Sequence, residues 1–171
     1  MPGSSTTPGS AGRELWWTHS KGSNAQAREL LSRATTLDPD FAPAWGFLAS
    51  ALINDYVSQW AASPPHSLER GFEAAIRAVG LDLQSPGAYW ALAFADLWMR
   101  RHDDAIRAAE TLIAPNPNDA EGYNVLGLFL HHVGPSEEAL PHFERAMALN
   151  PLCPACGCTS AAYSGRSSRA K

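Results

Sequence analysis

The stretch AEGYNVLGLFLHHVGPSEEALPHFERAMALNPLC, residues 120–153, decides the fold. Its small and apolar residues fall at helical spacing in two runs. Tyr123, Leu126 and Gly127 mark the first run, Ala139, Phe143 and Ala146 the second, and Pro151 closes the second. A leucine beside a small residue on one helix, set against small residues on the next, lets two antiparallel helices pack closely. The aromatic then fills the wider gap toward a neighbouring unit. Proline cannot continue a helix, so it turns the chain onward.

The same pattern recurs upstream. Four turn marks, Leu37-Asp38-Pro39, Leu81-Asp82-Leu83, Pro115-Asn116-Pro117 and Leu149-Asn150-Pro151, have third residues 44, 34 and 34 positions apart. Five residues before each third residue stand Ala34, Ala78, Leu112 and Ala146, and seven further back stand Ala27, Gly71, Ala105 and Ala139. A second comb pairs the aromatics Trp45, Tyr89 and Tyr123 with Leu48, Leu92 and Leu126, each followed by Ala49, Ala93 or Gly127. A fixed period of this length predicts an array of identical supersecondary units.

Boundary signals agree with the comb. Ser23-Asn24-Ala25-Gln26 and Asn118-Asp119-Ala120-Glu121 read as capping boxes. Ser85-Pro86 places a cap before a first-turn proline, and Ser136-Glu137-Glu138 sets acids at a positive helix end. Pro141 falls inside the helix that follows, close enough to its start that few backbone bonds are lost.

These residues resemble the tetratricopeptide repeat, a helix–turn–helix unit of about 34 residues. The resemblance runs from about Leu15 to Pro151 and is closest in the last unit. It implies an all-α fold, with helix-turn-helix repeats stacked as a short right-handed superhelical solenoid. The domain would cover 13–153, with repeats at about 13–41, 42–85, 86–119 and 120–153. The first unit departs from the pattern in its first helix, around Leu15-Trp16-Trp17. Asp96 stands where an apolar residue is usual, and Leu83 replaces a turn proline. The second unit is ten residues too long, which suggests an insertion at 56–65 around Trp60 before the second helix resumes at Ser67. That insertion, with Asn54-Asp55-Tyr56 before it, looks like the repeat region behind catalytic domains of bacterial class III adenylate cyclases. Similar arrays follow DNA-binding domains in some bacterial transcriptional regulators. Neither a cyclase nor a winged-helix domain is present in this chain, so the alternative reading is a detached regulatory region.

Composition narrows the function classes. A formal net charge of −4 argues against the basic face that nucleic-acid binders present to phosphates. The most apolar stretch, 89–99, contains Asp96 and is far shorter than the roughly 20 residues of a spanning helix. The first ten residues carry neither the positive end nor the apolar run of a signal sequence, so a cytoplasmic location is expected.

The resemblance places the first helix of each unit on a concave face. Inward candidates are Trp90, Phe94, Leu97 and Trp98 in the third unit, and Asn124, Leu128, His131 and His132 in the fourth. Aromatics beside Asn and His would hold a peptide or helix of a partner protein. The competing reading is that Trp90 and Trp98 pack between units or against the inserted loop. Some members of the family grip a C-terminal carboxylate with Lys, Arg and Asn. Here those positions are mostly Trp90, Phe94 and Leu128, which points to an apolar or mixed peptide instead.

Metal, redox and catalytic readings are weaker, and no cofactor is expected. His131 and His132 are adjacent, so their side chains diverge by about 100° on a helix and do not share one ion readily. Cys153, Cys156 and Cys158 include a C-x-x-C spacing, yet no second ligand pair is available except a distant His142, and a thioredoxin-like βαβ setting is lacking. A metal or redox role through these cysteines is therefore a second alternative. Asp103-Asp104 and Glu137-Glu138 sit at helix starts, where acids favour the dipole. With no glycine-rich phosphate loop either, an enzyme is not expected.

The ends read differently from the array. Residues 1–12 are rich in Ser, Thr, Pro and Gly and read as disordered. The tail 154–171 carries no leucine comb. A repeat array needs a polar closing helix. Without one, Phe143 and Met147 are expected to stay partly exposed and to offer a surface for self-association.

Overall fold

A computed structural model of the chain describes residues 20–114, 116–133 and 136–151. Among them are seven helices and no strand: α1 (Lys21–Leu37), α2 (Ala42–Val57), α3 (Pro64–Leu81), α4 (Pro86–Trp98), α5 (His102–Ile113), α6 (Ala120–Val133) and α7 (Ser136–Leu149). The fold is all-α and follows the helix–turn–helix comb. The segment 1–12, the expected helix at Leu15-Trp16-Trp17, the three cysteines and the tail 154–171 lie outside the described residues. The chain divides into two compact units, Met1–Arg100 with α1 to α4 and Arg101–Lys171 with α5 to α7.

Two helix starts differ from the sequence reading. α1 begins at Lys21, capped by Ser20, whose Oγ accepts the Ser23 N–H at 3.1 Å while its own N–H donates to Ser23 Oγ at 3.2 Å. Ser23 is thus the inner partner of the box and not its cap. The extra turn brings Asn24 against α2, and that long-range contact outweighs the local signal. α6 begins at Ala120, with the Asp119 carboxylate accepting the Glu121 N–H at 3.1 Å. Asn118 is held in the preceding turn, donating its N–H to the Asn116 side chain at 3.2 Å. Ser85 caps α4 as expected, accepting the Ala88 N–H at 3.4 Å ahead of Pro86.

Most of the extra length in the second pair is helix. α2 and α3 have 16 and 18 residues, against 13 and 12 in α4 and α5. The connection is only 58–63, and α3 begins at Pro64 rather than Ser67. Prolines fit a first turn because the N–H groups there have no helical partner anyway. Gln59, just beyond α2, and Arg100, just beyond α4, both adopt left-handed backbone, with φ of 55° and 62°. Only glycine takes that conformation without steric cost. Arg100→Gly is therefore expected to stabilise the first unit by about 1 kcal/mol, read as a shift in the urea midpoint. An unchanged or lower midpoint would show that the arginine side chain compensates.

Alanine dominates the interior. Among the described residues, 18 of 29 buried apolar side chains are alanines, which lets helix backbones approach closely within each unit. Glycine extends the same logic. A Cβ added at Gly71 of α3 would lie 2.9 Å from Ile53 Cγ1 and 3.3 Å from the Ala49 carbonyl oxygen of α2. In the second unit, a Cβ at Gly127 would meet the Phe143 ring at 2.8 Å. Phe143 is only 2% exposed, which corrects the expectation that it stays partly exposed for want of a closing helix. Its ring faces back onto α6 over Gly127 and not out of the end of the array. Met147 is half-buried.

Candidate functional site

The candidate residues fall in both units. Trp90, Phe94, Leu97 and Trp98 are on α4 of the first, and Asn124, Leu128 and His131 on α6 of the second.

In the first unit α2 and α4 lie side by side. The start of α2 packs on the start of α4, where a Cβ at Gly46 would stand 3.8 Å from the backbone of Gly87 and Ala88. Ser50 Oγ is turned inward and donates to the Gly46 carbonyl at 3.0 Å. From α4 a ridge rises at i, i+4 and i+8: Trp90, Phe94 and Trp98, each half-buried. The rings of Trp90 and Phe94 lie 4.4 Å apart at a 31° tilt, and Trp98 meets Tyr56 of α2 edge-on at 5.9 Å. Trp90 is backed by buried residues that include Leu48, Ala51 and Leu52, and by Ala49, Ala74, Ala75 and Ala91. Phe94 and Trp98 rest on Ile53, Leu68 and Ala95. Each ring therefore packs inward, against residues of neighbouring helices, and keeps part of its surface exposed. Leu97 is buried at 8% exposure.

Charge is segregated in this unit. The charged side chains of α2 and α4 are Asp55 and Asp96, which are 2% and 4% exposed. α1 carries Lys21, Arg28, Glu29 and Arg33, and α3 carries Glu69, Arg70, Glu73 and Arg77. Asp55 is buried because α1 supplies its partners. Asn24 Nδ2 donates to Asp55 Oδ1 at 2.7 Å and to the Ala51 carbonyl at 2.9 Å, and Arg28 pairs with Asp55 Oδ2. The backbone carbonyl of Asp55 also accepts from the N–H groups of Trp60 and Ala61, at 2.9 and 3.3 Å, and so gathers the 58–63 connection. Sequence reasoning missed this cluster, since its contacts span 27 and 31 residues. The one local signal is that Asn24 and Arg28 are four apart on α1 and share a face.

In the second unit Asn124 is buried, and Leu128 and His131 are half-buried. His132 is exposed, with Nδ1 2.8 Å from the Leu128 carbonyl oxygen. The His131 and His132 rings stand nearly perpendicular, at 84°. Tyr123 stacks on His142 at 6.2 Å, with the Arg145 guanidinium over its ring. Among the described residues no group of three or more His, Cys, Asp or Glu gathers as a metal set, and no helix is long and apolar enough to cross a membrane.

Helix pairs with small residues at their crossings and a short polar turn between pairs define the tetratricopeptide-repeat fold, and the chain has this fold. Solved structures bear this out. TTC0263, a thermophilic TPR protein in Thermus thermophilus, matches with a TM-score of 0.75 at 15% identity, over 89% of this chain and 80% of that one. A structure of MamA matches with a TM-score of 0.60 at 26% identity, over 82% of this chain and 69% of that one. Another structure of MamA gives 0.62 at 23% identity, over 93% and 84%. No family model matches the chain. Putative adenylate cyclase 3 of Rhizobium meliloti (strain 1021) is 36% identical over 86 residues, which is 50% of this chain. The chain spans 15% of the length of that curated relative.

Proposed function

We propose that the chain is a protein-interaction module that holds a peptide or helix of another protein on its first helices, and that it is not an enzyme. The observation that carries the reading is the Trp90–Phe94 pair, half-buried on α4 and backed by a packed core. Rigid aromatics that are partly desolvated before binding are the side chains that most often anchor an interface. Asn124, Leu128 and His131 are the corresponding candidates in the second unit.

The test is affinity capture of a partner from the source organism, followed by measurement of its affinity for variants of the full chain. Trp90→Ala and Phe94→Ala are each expected to weaken binding by about 2 kcal/mol, roughly 30-fold in Kd. Ile76→Ala, on an exposed position of α3 (49% exposed), should leave Kd unchanged. Both aromatic variants must keep the wild-type circular dichroism at the assay temperature, because the rings also pack inward. Unchanged affinity in both would defeat the assignment.

A second reading is favoured by one specific observation, the 36% identity to a putative adenylate cyclase. In that reading the module is the regulatory region of a nucleotidyl cyclase. A cyclase catalytic domain encoded beside this chain in its genome would support it, and unrelated neighbours would count against it.

A further inference from the structure

The charge segregation of the first unit says what kind of segment its first-helix face accepts, an inference that rests on the interaction reading above. The 16 residues of α2 and the 13 of α4 carry two charges, Asp55 and Asp96, and both are buried. Asp55 is also committed to Asn24 and Arg28. What the two helices leave partly or fully exposed is neutral and largely aromatic, with Trp90, Phe94, Trp98, Tyr56 and Asn54 among it. A charged side chain laid against such a surface gives up its hydration, and neither α2 nor α4 offers it an exposed counter-charge, which is unfavourable. We infer that the segment seated on α2 and α4 is uncharged and apolar, with its anchors on Trp90, Phe94 and Trp98. An acidic tail, a basic helix or a mixed peptide does not match this surface. The ridge from Trp90 to Trp98 is about 12 Å long at 1.5 Å per residue, which accommodates roughly four extended residues or two turns of helix.

The experiment selects a phage-displayed library of random dodecapeptides on the full chain. The preferred synthetic peptide is then titrated by tryptophan fluorescence at 0.05 and 1 M NaCl, on wild type, Trp90→Ala and Phe94→Ala. The expected result is enrichment of sequences with at least two large apolar residues within a four-residue to two-turn window free of Asp, Glu, Lys and Arg. The Kd should move less than about twofold between the two salt concentrations, because screening acts on charge pairs and none is involved. It should rise at least tenfold in the two variants.

Enrichment of charged residues, or a tenfold loss of affinity in high salt, overturns the inference and leaves the interaction reading standing. An uncharged peptide that binds the two variants as well as wild type defeats the placement on this face, and with it the interaction reading. No enrichment at all also overturns the inference. Self-association of the chain that is lost in Trp90→Ala, seen by sedimentation velocity, would replace the peptide with a second copy.

Discussion

Replacing Phe143 with alanine is expected to cost the second unit about 3–5 kcal/mol, the usual penalty for removing a fully buried phenylalanine. The side chain is 2% exposed and lies over Gly127 of the facing helix. The more telling result concerns the pair. Gly127→Ala alone should destabilise by about 1–3 kcal/mol through overpacking, although alanine is by nature the better helix former. Its new methyl group would stand 2.8 Å from the Phe143 ring, which must shift to admit it. With Phe143 already shortened to leucine, the same change should become neutral or stabilising by up to about 1 kcal/mol, since only the helix propensity is left. Urea denaturation followed by far-UV circular dichroism measures all three variants. Tryptophan fluorescence serves as an internal comparison, because all six tryptophans precede residue 100 and report on the first unit. Additive effects of the two substitutions would show that ring and glycine are not in contact.

Asp55→Ala should have the second large effect, about 2–3 kcal/mol off the first unit. Breaking a fully buried ion pair commonly costs about 3–5 kcal/mol, and the cost is lower here because the Arg28 side chain is 37% exposed and regains water. Asn24 also keeps its bond to the Ala51 carbonyl. Asp55→Asn should lose less, about 1–2 kcal/mol, since the amide still offers Asn24 an oxygen and only the charge opposite Arg28 is gone. The cycle Arg28→Ala with Asp55→Ala should return a coupling of about 1–2 kcal/mol in denaturant titrations monitored by tryptophan fluorescence. Additivity within about 0.5 kcal/mol would show that the pair contributes no measurable coupling to stability.

The helix pairs were legible because the turn marks and the aromatic–leucine–small comb repeat at fixed spacing, and periodicity survives local noise. Single positions were less so. Ser20 and Ser23 both satisfy the local rule for a cap, and the choice between them falls to Asn24 reaching Ala51 and Asp55. The surplus length in the second pair read as an insertion at 56–65, yet adjacent first-turn prolines start α3 at Pro64, inside that span. Gln59 and Arg100 gave no sign of their left-handed backbone, since that conformation follows from how each first helix ends and not from the residue type. For the candidate site, the i, i+4 spacing of Trp90, Phe94 and Trp98 was visible from the start. How far each ring is buried was not, because that depends on Leu48, Leu52, Ile53 and Leu68, 26 to 45 residues earlier in the chain. The charge pattern could have been read from α2 and α4 directly. Only burial turned two aspartates into groups unavailable to a partner.

The preponderance of alanine inside the molecule makes its tolerance to change lopsided. A leucine-filled interior gives way when side chains shrink; one filled with methyl groups has little to lose that way and almost no room for growth. Drift at Ala49, Ala75 or Ala91 is thereby confined to glycine, alanine and serine, each of which keeps the helices at the same separation. The distance from α2 to α4 then acts as a ruler held constant from within, while Trp90, Phe94 and Trp98 are only half-enclosed. Under the proposed reading, what the chain binds can change while the spacing of α2 and α4 stays fixed.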